Sequence, residues 1–173
     1  VVFPFLAQGL ARQELCLYLT ALHTPAMIAA LLASEGVDVE QARETGQFAI
    51  RDAAQTYLPR GCFDPDRVIK RFADIIYQAL GEGFAGVRVV ADMAWIAYRP
   101  DGGERLEEYE QRVESELFEL YPLKAICFYD SLFLDGGLLA LARRTHKVVL
   151  SAGCPPLGSP VLRSGQPGAP GLV

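Results

Sequence analysis

What the chain lacks narrows its function first. Its four cysteines, Cys16, Cys62, Cys127 and Cys154, form no CxxC pair, and only two histidines are present. Zinc motifs pair their ligands at short spacing, so the sequence offers no metal site and implies no cofactor. GxxxxGK[ST], GxSxG and HExxH are missing too, which removes the usual phosphate-loop, hydrolase and metalloprotease signatures. Basic residues are the minority, 16 Lys plus Arg against 21 Asp plus Glu, for a net charge of −5. A direct nucleic-acid binder carries a basic stripe, and none is visible. The longest apolar run, Ala26–Ala33, is far shorter than the ~20 residues of a membrane span. No basic-then-apolar signal segment opens the chain, and nothing demands an oxidising compartment. The expected protein is cytoplasmic and acidic, with no membrane partner.

What is present is a pattern of alternating elements over residues 1–150. Val2, Phe5, Leu6 and Leu10 fall at helical spacing, and the apolar run Leu15–Thr20 suits a buried strand. Thr24-Pro25 and Asp64-Pro65 each read as a cap followed by proline at the first helical position. The second pair introduces Val68, Ile69, Phe72, Ile75, Ile76, Ala79 and Leu80 at 3.6 spacing, the most secure helix in the chain. A short helix is expected over 38–45 and a longer one over 104–120. Further strands are expected at 47–51, 87–90, 125–129 and 147–150, with a helix over 136–144. Alternation of this kind predicts an α/β fold, with a mainly parallel sheet of about five strands and helices on both faces. From Ser151 the sequence changes to five prolines, five glycines and one charge, which reads as a disordered tail.

In such sheets ligands gather at the carboxyl ends of the strands. Those ends carry Arg51-Asp52, with Thr56-Tyr57 on the loop that follows, then Asp92-Met93-Ala94-Trp95, then Tyr129-Asp130. Tyr57, Met93, Trp95 and Tyr129 are the candidate lining of a small-molecule pocket, and Asp92 is its polar anchor. The competing reading is that Trp95 and Tyr129 fill core space, and that Asp92 simply ends a strand. His23 reads as a turn residue beside a helix start, and His146 as structural. No Ser or Cys nucleophile stands at a motif spacing from either histidine, so no catalytic residue is named. The acids Glu107, Glu108, Glu110, Glu114, Glu116 and Glu119 mostly share one helix face, which reads as solvated or as a protein-binding surface.

The order of several segments is more specific. FLAQGLARQELCLYLT (5–20), GVDVEQARETGQFAIRDAAQTYLPRGCFDPDRVI, ADMAW, RLEEYEQRVESEL and AICFYD resemble the MEDS domain, the methanogen/methylotroph sensory domain of the dichloromethane-responsive repressor. The resemblance covers most of residues 1–150. It implies a RecA/KaiC-like fold without the phosphate loop. It also implies a non-catalytic sensor of small organic molecules, hydrocarbon derivatives among them, in transcription regulation or signal transduction, acting through a protein partner or a fused output domain. Asp92 stands where the family usually has Glu. The family normally begins with a strand bearing an aromatic and often a histidine, and that strand is absent before the first helix here. This keeps open a KaiC/RecA-like P-loop ATPase truncated before its phosphate loop; a separate alternative is an acidic protein-interaction module using the 104–119 face.

Overall fold

The computed structural model describes residues 1–150; the expected tail, 151–173, lies outside the described residues. Four strands form one sheet: β1 (Leu15–Thr20), β2 (Phe48–Asp52), β3 (Val87–Asp92) and β4 (Leu123–Phe128). All pair in parallel, in the order β2-β1-β3-β4. Among the described residues the sheet has four strands, not five. Residues 147–150 pair with no described strand, and Val148, Val149 and Leu150 are exposed. A three-residue apolar run becomes a strand only where a neighbour offers a ladder, and this run leaves the preceding helix without one.

Among the described residues seven α-helices flank the sheet: α1 (Val2–Ala11), α2 (Pro25–Ala33), α3 (Val39–Glu44), α4 (Ala53–Tyr57), α5 (Pro65–Gly81), α6 (Leu106–Val113) and α7 (Gly136–Thr145). The two cap-then-proline starts form as the sequence predicts. Thr24 Oγ1 accepts from the Met27 N–H, and Asp64 Oδ1 from the Asp66 N–H. The expected helix over 104–120 is divided. After α6 the chain widens into one π turn, Glu114–Phe118, in which the Glu119 N–H reaches back to the Glu114 carbonyl. The buried stripe Leu106, Tyr109, Val113 and Leu117 continues through the change. α4 replaces the loop expected at Thr56-Tyr57, and a 3₁₀ segment, Met93–Tyr98, follows β3; Asp52 and Asp92 cap them. Gly81, Gly83 and Gly86 have the spacing of a dinucleotide-binding turn, but they lead from α5 into β3. That motif works only from a strand into a helix, where N–H groups face the phosphates.

Alternate side chains divide each strand between two cores, as period two requires. Leu15, Leu17, Leu19, Val87, Val89 and Ala91 join α5, α6 and the 93–98 segment on one face. Cys16, Tyr18, Phe48 and Val90 join α1, α2 and α3 on the other. Arg88 also points to this second side, where it is 1% exposed. It is held by Glu14 Oε2 and donates 2.7 Å to the Phe5 carbonyl, while its guanidinium lies 4.7 Å from the Phe5 ring centroid.

Gly9 of α1 is what lets Arg88 lie there. A Cβ at this position would stand 2.5 Å from Arg88 Cδ and 2.7 Å from Cys16 Sγ. Alanine gains about 1 kcal/mol of helix propensity over glycine, whereas overpacking a filled core costs about 1–3 kcal/mol. Gly9→Ala should therefore destabilise the domain on balance, which urea unfolding measures. A variant as stable as the parent would mean that α1 can lift from the sheet freely.

Candidate functional site

A cavity of about 440 Å³ lies on the α5–α6 side of the sheet, over β3 and β4. Val89 and Ala91 of β3 and Leu123, Ala125 and Cys127 of β4 form its floor. Tyr57, Phe72, Tyr109, Val113 and Leu117 form its apolar walls, and Thr145, His146, Lys147 and Val148 border it at and just beyond the end of α7. Two of the residues expected to make a fifth strand, Lys147 and Val148, thus border a cavity.

One end is polar. Tyr129 donates its hydroxyl to Glu110 Oε1 at 2.8 Å, and its ring meets that of His146 edge-on at 5.6 Å between centroids. Glu110 has a side chain only 7% exposed, and its Oε2 stands 3.8 Å from His146 Nε2. Burial pushes the Glu110 carboxyl above its ordinary range, against the His146 charge and the Tyr129 hydrogen bond. Burial and the nearby Glu110 charge push the Cys127 thiol and the Tyr129 hydroxyl upward in turn. At neutral pH, then, thiol and phenol keep their protons. This end supplies hydrogen-bond donors and a carboxyl group rather than an activated nucleophile. Glu110, Cys127 and His146 also form the one described group of three potential metal ligands close enough to share an ion.

The sequence-predicted site residues fall into two places. Tyr57 lines the cavity, whereas Tyr129 is not among its lining residues but donates its hydroxyl to Glu110, which is. Trp95 is 1% exposed and lies behind Tyr57, with ring planes 14° apart and centroids 4.8 Å apart; Phe63 flanks it at 5.1 Å. Met93 is wholly buried in the same core. Asp92, also wholly buried, accepts from the Ala21 and Leu22 N–H groups through Oδ2 and from the Ala94 N–H through Oδ1. Its carboxylate therefore joins the end of β3 to the turn after β1. Met93, Trp95 and Asp92 are not among the residues lining the cavity.

Sequence reasoning missed Glu110 and His146. The first was counted within an acidic helix face and the second as structural, yet both border the cavity. The signal for Glu110 was its place in the 3.6 period, one residue after Tyr109 and three before Val113. Elsewhere on that face the acids are laced to cations: Glu108 to Arg105 and Arg112, Glu116 to Arg112, Glu107 to Arg144 and Glu114 to Lys147. The face presents paired charges, which weakens its attraction for a basic partner.

A crossover-linked parallel α/β domain, with a mostly apolar cavity beside its outer strand, is the class that fold and site define. The chain belongs to the MEDS family, the methanogen/methylotroph, DcmR sensory domain, which it matches over residues 1–147. No curated protein matches it. Among solved structures it is similar to a KaiC-like protein from the hyperthermophilic archaeon Pyrococcus horikoshii OT3, at 18% identity and a TM-score of 0.48. That likeness covers 71% of this chain and 51% of the archaeal one, so the chain spans about half that protein's length. Membership of the family gives the chain a sensory role. No described helix is long and apolar enough to cross a membrane.

Proposed function

We propose that the domain is a non-catalytic, cytoplasmic sensor that takes a small, largely apolar organic molecule into the cavity over β3 and β4. It then passes its occupancy to a protein partner or a fused output domain, in transcription regulation or another signalling pathway. The observation that carries this reading is the cavity itself. Its volume of about 440 Å³ lies in the range of small-molecule sites, and it joins apolar walls to a few convergent polar groups, as such sites do. Tyr57 contacts the ligand, and Tyr129 orients Glu110 toward the ligand's polar end. Met93 and Trp95 support the wall from behind, and Asp92 holds the strand end on which they are carried. Because the cavity is bordered by α6 and by residues 145–148, filling it orders a surface that an output partner can read.

A thermal-shift screen of the full chain against short-chain alcohols, halogenated alkanes and nucleotides tests the reading. A ligand at a hundredfold excess over its Kd adds about 2.7 kcal/mol of stability. An organic compound should raise Tm, and Ala125→Phe, which fills the floor of the cavity, should abolish the rise while leaving the fold intact. A shift by ATP and by no organic compound would favour the nucleotide-binding alternative. An unchanged organic response in Ala125→Phe would mean that the ligand binds elsewhere.

A further inference from the structure

Glu110 of α6, Cys127 of β4 and His146, the residue after α7, come together from three different elements. One donor atom from each lies within 4.8 Å of the other two. Whole elements separate the three in sequence, which is why no short-spaced zinc motif announces them.

The groups are also oriented. His146 Nδ1 stands 3.0 Å from the Ala142 carbonyl oxygen, which can only accept, so Nδ1 carries the proton. Its other neighbour, Thr145 Oγ1 at 3.2 Å, gives its own proton to the Leu141 carbonyl and accepts as well. The neutral ring therefore keeps its lone pair on Nε2, the nitrogen facing Glu110. Tyr129 holds the other Glu110 oxygen, leaving Oε2 at 3.8 Å from Nε2, too far for a hydrogen bond. Outer contacts of this kind fix the histidine and carboxylate ligands of metal centres.

We propose that Glu110, Cys127 and His146 bind a divalent zinc-type ion at the polar end of the cavity. One sulfur, one nitrogen and one oxygen suit zinc or cobalt; magnesium and calcium require sets of oxygen donors. Zn–S is about 2.3 Å and Zn–N about 2.0–2.1 Å, so closing a tetrahedron draws the farthest pair in by roughly an ångström. On binding, the Cys127 S–H bond breaks, sulfur keeps the electron pair and the proton passes to solvent. Three protein ligands leave the fourth position open toward the cavity. This deepens the sensing reading and rests on it in one respect: the sensed compound would carry a thiol, hydroxyl or carboxylate able to fill that position.

Cobalt alone is the probe, added to the full chain kept reduced with a phosphine. One equivalent should bind, with a thiolate-to-cobalt charge-transfer band that zinc displaces. Cys127→Ser should remove the band, and His146→Asn and Glu110→Gln should each weaken binding by roughly tenfold or more. Cys62→Ser and Cys154→Ser should leave it unchanged. Circular dichroism confirms that each variant is folded, and His146→Asn, near the surface, serves if Cys127→Ser is not. No saturable binding, or a band that survives Cys127→Ser or follows Cys62 or Cys154, overturns the metal site. The organic screen repeated in a chelator separates the two claims. Organic binding without cobalt binding sinks only the metal. Cobalt binding with no organic response leaves the metal site and removes the sensing reading.

Discussion

Glu14→Gln is expected to cost the domain about 3–5 kcal/mol of unfolding free energy, the cost of leaving one buried charge without its partner. The Arg88 side chain is 1% exposed and that of Glu14 7%, so the orphaned guanidinium has little water to turn to. The double variant Glu14→Leu with Arg88→Met should lie much closer to the parent, because removing both charges also removes both desolvation penalties. Burial acts to raise the Glu14 pKa, but hydrogen bonds and charge from Lys124 and Arg88 outweigh it, and the carboxyl is held below the ordinary value of 4.5. A depressed acid stabilises the fold above its unfolded pKa, and that stability is lost as pH falls through the folded value. Urea midpoints from pH 7 downward should therefore drop below about pH 4.5 in the parent by more than in the double variant. Equal pH profiles for the two, or a loss under 1 kcal/mol in Glu14→Gln, would show that the pair is solvated.

Trp95→Ala should cost about 3–5 kcal/mol, as truncation of a buried tryptophan does. The indole is stacked on Tyr57 and 1% exposed, and its Nε1 is the one buried side-chain nitrogen or oxygen without a hydrogen-bond partner among the described residues. Trp95→Phe should lose much less, since it keeps an aromatic ring in the stack and discards an N–H that is costly to bury unpaired. Far-ultraviolet circular dichroism in urea measures both variants, since they remove the only tryptophan. If Trp95→Ala kept nearly full stability but lost the response to organic compounds, the indole would be touching ligand. Together with Phe63 and Tyr109, the ring forms the backing that keeps Tyr57 in place.

Much of the architecture was legible because its signals are local. Thr24-Pro25 and Asp64-Pro65 mark helix starts by chemistry that acts within one turn, and the run Leu15–Thr20 is too apolar to lie anywhere but inside. The same reasoning had the means to find α4: Asp52 precedes Gln55 by three residues and accepts its N–H, a cap placed where a loop was expected. The fifth strand failed for the opposite reason. Lys147–Leu150 has the composition of a strand, but pairing is decided by neighbours that a sequence window does not contain. Nor could Arg88 be matched to Glu14 across the chain, since an arginine inside VRVV says only that a partner must exist. For the site, the strand-end rule led to Tyr57 and Tyr129. It also led to Asp92, whose oxygens the backbone has taken. Glu110 and His146 were hidden because their meeting depends on how α6 and α7 lie across β4.

The all-parallel order β2-β1-β3-β4 has a kinetic side. No two paired strands are joined by a tight turn: residues 21–47 separate β1 from β2, 93–122 separate β3 from β4, and β1 reaches β3 only after β2 and α5 have been made. Each ladder closes a long loop before its first hydrogen bond repays the entropy. Early order must come from segments that need no distant partner, above all α5 with its capped start and continuous apolar stripe. The sheet then assembles late around it. β4, which pairs on one side only among the described residues, keeps an edge that another chain can reach even after that assembly is complete.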